Sequence, residues 1–335
     1  MTAQSSARIY RGTPRDLARL SRILRGGGLV AVPTETVYGL AANALDAAAC
    51  RKIFRAKRRP SHDPLIVHIH SSAQLEMLAE PNDAARKLAQ KFWPGPLTII
   101  LPKRAIVPAI VSAGLSSVAV RMPRHPLFRK LLERTGMPLA APSANLFGYV
   151  SPTSAEHVAN GLGNKIAHIL DGGPSAIGVE STIVDLRDPH APRLLRPGAV
   201  TRRELERVLG TRIRLPRKTR NDRAQISPGR LPRHYSPRTP SVLHERISPS
   251  APTRAPATEA WVFIAKPRDV SGQNIFWLDD RGQLSGAARR LFDVLRKLDD
   301  GRFTRIHFER AQGGGLADAI NDRLKRAAGK EPSKR

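Results

Sequence analysis

Residues 57–68, KRRPSHDPLIVH, set three consecutive cations, Lys57, Arg58 and Arg59, before a proline-stiffened turn and a short apolar run that ends on His68. Pro60 and Pro64 restrict the turn, and Leu65 to Val67 read as a brief buried strand. Guanidinium groups stay charged at working pH and match phosphate oxygens two at a time, while a lysine adds a mobile point charge. This layout suits a bound polyphosphate. The plain alternative is the solvated end of a helix begun near Ala47, where the helix dipole favours cations.

Working outward, the same design recurs in PTETVYGL (Pro33 to Leu40), WPGPLTIIL (Trp93 to Leu101), SSVAVRMP (Ser116 to Pro123), APSAN (Ala141 to Asn145) and GVESTIVD (Gly178 to Asp185). Each joins a short β-rich apolar run to a polar or Gly/Pro-rich element. Hydroxyls, amides and one arginine are thereby delivered to strand ends, where open α/β sheets bind ligands. Thr34, Thr36 and Tyr38 supply hydroxyls that both donate and accept, although threonines beside a strand are also ordinary β-formers.

PTETVYGL, the Lys-x-Arg-Pro stretch, Ser-x-Asn and GVEST, in this order, make residues Gly26 to Gly210 resemble the YrdC-like domain of threonylcarbamoyl-AMP synthases. The resemblance implies a twisted open mixed sheet with helices. It also implies an enzyme that joins L-threonine, bicarbonate and ATP into threonylcarbamoyl-AMP and pyrophosphate, a nucleotidyl transfer that serves threonylcarbamoyladenosine in tRNA. Magnesium (Mg2+) would accompany the ATP, and the chain has no G-x-x-x-x-G-K-[ST] loop to cradle the phosphates.

By position in the family motifs, Lys57 and Arg59 match a phosphate-binding Lys-x-Arg pair, Ser143 and Asn145 the Ser-x-Asn pair at the nucleotide, and Arg196 a further ATP contact. Ser117, Ser151 and Asp63 are additional ATP candidates. For threonine the resemblance assigns Arg121 to the α-carboxylate, with Thr36, His68, Ser181 and the backbone at Ala141 completing a polar pocket. Each also has a bland reading: a surface arginine at a strand end, a structural histidine, a serine at a strand edge. Glu35 and Glu180 lie inside motifs, and no general base is demanded by the sequence. Two positions depart from the family pattern. Asp63 replaces the usual Asn, and its anion is offset by Arg58, which stands where glycine is common, or else helps to hold magnesium.

After Gly210 the composition changes: Thr211 to Ala257 carries eight prolines and eleven Lys/Arg against Asp222 and Glu245. That predicts a linker (211–257) between a catalytic domain (1–210) and a smaller Rossmann-like α/β domain (258–330), with a tail at 331–335. Within it, SPGRLPRHYSPRTP (227–240) resembles the family's interdomain motif, which lies back over the active-site cleft and brings His234 and Tyr235 to the ligand, Tyr235 as a further ATP candidate. A proline-stiffened spacer is the simpler reading. Strands over Glu259 to Ala265 and Thr304 to Glu309, and helices over Gly286 to Leu298 and Leu316 to Ala327, are expected beyond it.

The 335 residues suit two domains, and a single cysteine, Cys50, excludes a disulfide framework or a Cys-rich zinc module. It thereby also excludes the carbamoyl-transfer role that related domains play in hydrogenase maturation. No apolar run approaches the roughly 20 residues of a membrane span, and no secretory signal is visible, so a cytoplasmic location without membrane contact is expected. A net charge of +28 attracts polyanions. Weak contact with tRNA or other RNA is therefore expected, as are downstream tRNA threonylcarbamoyl-transfer proteins that accept the adenylate. The leading alternative is a module on the same fold that grips double-stranded or structured RNA and makes no adenylate.

Overall fold

The computed structural model describes residues 7–215, 235–248, 250–268, 270–299 and 301–329. The strands of the first domain are β1 (Arg8–Tyr10), β2 (Val30–Val32), β3 (Gly39–Asn43), β4 (Ile66–His68), β5 (Leu97–Pro102), β6 (Ser117–Arg121), β7 (Leu139–Ala140), β8 (His168–Leu170), β9 (Thr182–Asp185) and β10 (Arg193–Arg196). They form one mixed sheet in the order β1-β8-β2-β3-β7-β4-β6-β5-β9-β10. Two parallel pairs position the centre of the molecule. In β4 and β6, His68 lies opposite Arg121, and in β5 and β9, Leu97 lies opposite Thr182.

Because side chains alternate along a strand, neighbouring residues serve opposite faces. Val67, Val118, Val120, Ile99 and Leu101 join the main helix-covered core. Ile66, Ala119, Ile100, Ile183 and Leu195 form a separate small cluster on the other face. His68 and Arg121 share that second face with Ile66 and Ala119.

The helix Ala47–Lys57 delivers the cation cluster. Asp46 caps its start by accepting from the Ala48 and Ala49 amides at 2.8 and 3.1 Å, and it stops at Arg58, which turns left-handed with φ 52°. This stop separates the three cations. Lys57 and Arg59 are turned inward and buried, while Arg58 is exposed.

The second domain holds β11 (Ser241–His244), β12 (Glu259–Ala265), β13 (Ile275–Asp279) and β14 (Arg305–Glu309), paired in parallel in the order β11-β14-β12-β13, with helices Leu284–Leu298 and Leu316–Ala328. The sheet therefore begins inside the stretch expected to be a linker. Ser241–His244 is a four-residue edge strand set among prolines and basic residues, too short and too polar in its surroundings to stand out as periodic sequence. Ile247, buried against Trp261 and Phe263, belongs to the same unit. Of the expected lid motif, residues 227–234, including His234, lie outside the described residues.

The two domains share a core. Val37, Val150, Val179 and Tyr235 pack into one buried cluster with Ala287, Ala288, Leu291, Phe292 and Ile320 of the second domain. Among the described residues no helix is long and apolar enough to cross a membrane.

Candidate active site

A cavity with about 510 Å³ of atom-free space, its open mouth included, lies where the strand ends converge. Thr36, His68, Arg121, Ala141 and Ser181 line it, as do Arg59, Ser143, Arg196 and Tyr235. All five residues assigned to threonine thus meet four of those assigned to ATP around one space.

Arg121 closes β6 and is 3% exposed. Its Nε donates to the Gly95 carbonyl at 3.1 Å and its Nη1 to Thr36 Oγ1 at 2.9 Å. Its Nη2 lies 2.6 Å from Glu35 Oε1 without the alignment of a hydrogen bond. Burial alone would push the Glu35 carboxyl up, but the charge and proximity of Arg121 outweigh it, and the net shift is downward. Glu35 is therefore the arginine's counter-ion and a poor base. Beside them His68 is held neutral, its pKa pushed down to about 3 by burial and by the Arg121 charge.

Two further guanidinium groups, those of Arg59 and Arg196, share the lining. Arg59 donates from Nε to the Asp63 carbonyl at 3.0 Å and from Nη2 to the Pro64 carbonyl at 2.8 Å, and pairs with the Asp63 carboxylate at 2.9 Å. Burial raises the Asp63 carboxyl and lowers the Arg59 guanidinium. The partner that offsets Asp63 is thus Arg59, four residues earlier across the turn, not the exposed Arg58. Arg196 donates from Nε to the Ser181 carbonyl at 3.0 Å and from Nη2 to Ser181 Oγ at 3.1 Å, and Ser181 Oγ also meets Thr98 Oγ1 at 2.8 Å. Burial lowers the Arg196 guanidinium as well.

Lys57, Asp63, Ser117, Asn145 and Ser151 stand behind or beside this lining. Lys57 Nζ donates to the Ser143 and Asn145 carbonyls, each at 2.5 Å, and so ties down the Ser-x-Asn loop from beneath. Burial pushes its ammonium well below the ordinary lysine value, and Arg59 adds to that. Asn145 Nδ2 holds the Leu146 and Tyr149 carbonyls at 2.7 and 2.9 Å, while its Oδ1 is buried with no hydrogen-bond partner. Asp63 is buried behind Arg59. Ser151 Oγ donates to Glu180 Oε1 at 2.5 Å. Ser117 opens β6 at the end opposite Arg121; continuing the β4–β6 register sets it next to Pro64, whose carbonyl Arg59 holds.

Sequence reasoning did not assign Val37, Gly39, Ile66, Pro142 or Glu180 to the lining, nor Arg323 to the layer behind it. Glu180 Oε2 accepts from Arg323 Nε at 3.0 Å, which makes Glu180 a structural anion. The helix pattern carried a signal for Arg323. It falls three residues after Ile320 and four before Ala327, on the apolar stripe of its helix, where a charge is rare unless paired.

Tyr235 is 1% exposed and adopts φ 63°, a strained conformation for a residue with a side chain. Its ring packs 5.5 Å from that of Phe292 and under the Arg323 guanidinium at 5.7 Å. Burial, with Glu180 nearby, pushes its hydroxyl up to about 12, so it remains a neutral phenol.

Comparison with known proteins identifies the family of the chain. Residues 22–198 match the Sua5/YciO/YrdC family model, described as telomere recombination, and residues 200–329 match the model of the threonylcarbamoyl-AMP synthase C-terminal domain. The chain is 43% identical over 320 residues to the threonylcarbamoyl-AMP synthase of Pyrococcus abyssi, covering 91% of this chain and 92% of that one. It is 42% identical over 328 residues to that of Bacillus subtilis, covering 93% of each. The crystal structure of Pyrococcus abyssi Sua5 complexed with L-threonine superposes with a TM-score of 0.88 at 40% identity over 96% of both chains. Both domain matches and the full-length similarity lead to one conclusion: the chain belongs to the Sua5/YrdC family of threonylcarbamoyl-AMP synthases, in its two-domain form.

Proposed function

We propose that the cavity takes L-threonine at its Arg121 end and the triphosphate of ATP at its Arg59 and Arg196 end, with bicarbonate as the third reactant. The products are threonylcarbamoyl-AMP and pyrophosphate, the work of a nucleotidyltransferase. The observation that carries this reading is the single lining that joins Thr36, His68, Arg121, Ala141 and Ser181 to Arg59, Ser143, Arg196 and Tyr235.

The chemistry asks for little beyond positioning and charge. Threonine's amine condenses with bicarbonate, losing water, to give a carbamate. A carbamate oxygen then bonds to the α-phosphorus of ATP as the bond to the leaving pyrophosphate breaks. Both reactants are anions, so their approach is opposed unless fixed cations face them in a site of low dielectric. Arg121 clamps the threonine carboxylate, Thr36 and Ser181 supply hydroxyls near the amine and side chain, and the neutral His68 adds bulk and polarity without a competing charge. Arg59 and Arg196 face the phosphates, where charge builds on the leaving group.

Neither buried glutamate is available as a base, since Glu35 is engaged with Arg121 and Glu180 with Arg323 and Ser151. Holding the reactants in attack geometry carries the rate. The reaction needs a divalent ion with ATP, and we assign magnesium to that place as part of the substrate. Asp63 is committed to Arg59, and among the described residues no group of three His, Cys, Asp or Glu side chains converges. The adenylate passes to tRNA threonylcarbamoyl-transfer proteins in the cytoplasm, and the basic surface supports weak, salt-sensitive contact with tRNA.

Incubation with labelled threonine, bicarbonate and magnesium-ATP should yield the mixed anhydride. Pyrophosphate–ATP exchange should require both threonine and bicarbonate. An RNA-gripping module would show neither, and absence of both products from folded protein rejects the assignment.

A further inference from the structure

Glu180 precedes Ser181, and Pro197 follows Arg196. Glu180 and Ser181 lead into β9, Arg196 closes β10, and Ser181 and Arg196 touch through two hydrogen bonds at the cavity wall. One side chain from the second domain holds the outer member of both pairs. Arg323, in the helix Leu316–Ala328, is completely buried; its Nε donates to Glu180 Oε2 at 3.0 Å, its Nη2 to the Glu180 carbonyl at 3.2 Å and its Nη1 to the Pro197 carbonyl at 2.5 Å. Its guanidinium also covers the ring of Tyr235, a third part of the lining.

We infer that Arg323 is a positioning residue of the reaction: through Glu180 and Pro197 it fixes the Ser181–Arg196 pair, and through Tyr235 the neighbouring wall, so that the second domain completes a site it does not line. The inference rests on reading the cavity as the threonine and ATP site. The geometry supports a specific device because the planar guanidinium reaches a carboxylate and two carbonyls at once. A lysine keeps the charge beside Glu180 but has one nitrogen and cannot meet all three. Glu180 in turn receives Ser151 Oγ, so the same anchor steadies the loop after Tyr149.

The test uses the full chain. Arg323→Lys should raise KM for both threonine and ATP about tenfold, the loss of roughly one charge-assisted hydrogen bond's worth of positioning, while the protein stays folded. Glu180→Gln should act in the same direction, and the double variant should be no worse than the more affected single, because both changes break one unit. Asp299→Ala serves as the control for loosened docking. Asp299 accepts from the Tyr149 hydroxyl at 2.9 Å and from Thr239 at 2.8 and 3.0 Å, bridging the domains without touching Glu180, Ser181 or Arg196. It should lower the melting temperature and leave both KM values within about twofold, in keeping with the loss of ordinary hydrogen bonds outside the site.

Unchanged KM values in Arg323→Lys overturn the inference. So does an equal rise in Asp299→Ala, which would reduce Arg323 to domain docking alone. The underlying assignment fails separately: if Arg121→Ala also leaves the threonine KM unchanged, the cavity itself has been misread, whereas a response to Arg121→Ala without one to Arg323→Lys sinks only the role given to Arg323.

Discussion

Replacing Arg121 by alanine separates two things that this side chain does at once. It removes the proposed carboxylate clamp, and it strands Glu35, which is 7% exposed and relies on the arginine 2.6 Å away. A forked contact to the threonine carboxylate is worth two charge-assisted hydrogen bonds, each about 1.5–3 kcal/mol. Their loss should raise the threonine KM by roughly 10² to 10⁴, with ATP affinity nearly unchanged. Leaving a buried charge unpaired should cost a further 3–5 kcal/mol of folding stability, to order of magnitude. The double variant Arg121→Ala with Glu35→Gln restores neutrality. It should regain most of the stability and none of the threonine affinity.

Threonine- and bicarbonate-dependent pyrophosphate release gives the first quantity, calorimetric titration with ATP the second, and thermal unfolding the third. The pH dependence supplies an internal check. Glu35 has a folded pKa below its unfolded value of 4.5, so its pairing stabilises the protein above that value and the gain is lost as pH falls through the lowered one. The stability gap between the parent chain and Arg121→Ala should therefore narrow in acid. A variant that melts early yet binds threonine with the parent KM would refute the clamp and leave Arg121 a structural ion-pair partner.

Arg59→Ala should weaken ATP binding at least tenfold, as expected for a lost charge-assisted contact, and leave threonine binding in place; equal losses in both, by titration calorimetry, would contradict the division of the cavity. Asp63→Asn removes the anion that neutralises Arg59 and should tighten ATP a few-fold, to order of magnitude. Its magnesium dependence should stay parallel to that of the parent, and a shifted magnesium requirement would make Asp63 a ligand instead. Because His68 is buried and neutral with a folded pKa of about 3 against 6.5 unfolded, it stabilises the fold above pH 6.5, and that contribution fades as pH drops towards 3. His68→Phe should flatten this acid-side loss in unfolding titrations, and an unchanged slope would reject it. Gly178 sits at φ +83°, and a Cβ there would stand 2.4 Å from Arg289 Cα, so Gly178→Ala should pry the helix Leu284–Leu298 from the first domain, seen as faster proteolysis between the domains.

Much of the site was legible because its residues stand at strand ends, and strand ends are marked in sequence by the switch from apolar runs to Gly, Pro and hydroxyl residues. His68 and Arg121 illustrate this: each closes a short apolar strand, and the parallel register of β4 and β6 sets them side by side. The distinction between lining and support was not legible. Lys57 and Arg59 are two residues apart, yet the left-handed stop at Arg58 sends Lys57 under the Ser-x-Asn loop and Arg59 to the cavity wall. Side-chain direction at a helix end depends on how the helix terminates, and no motif records that. The edge strand Ser241–His244 escaped for a different reason: four residues paired along one side carry too little periodicity to rise above their proline-rich flanks. Arg323 shows long-range dependence at its plainest, since its partner Glu180 is 143 residues away.

The continuous apolar cluster between the domains limits how this polypeptide can be shortened. A fragment ending near residue 210 would uncover Val37, Val150 and Val179 at once, presenting to solvent a greasy face built into the very loops that shape the cavity. Such a fragment would self-associate unless those three valines were exchanged for polar residues, and recoating them would disturb PTETVYGL and GVEST. In this chain, solubility of the first domain and the shape of its cavity are one design problem.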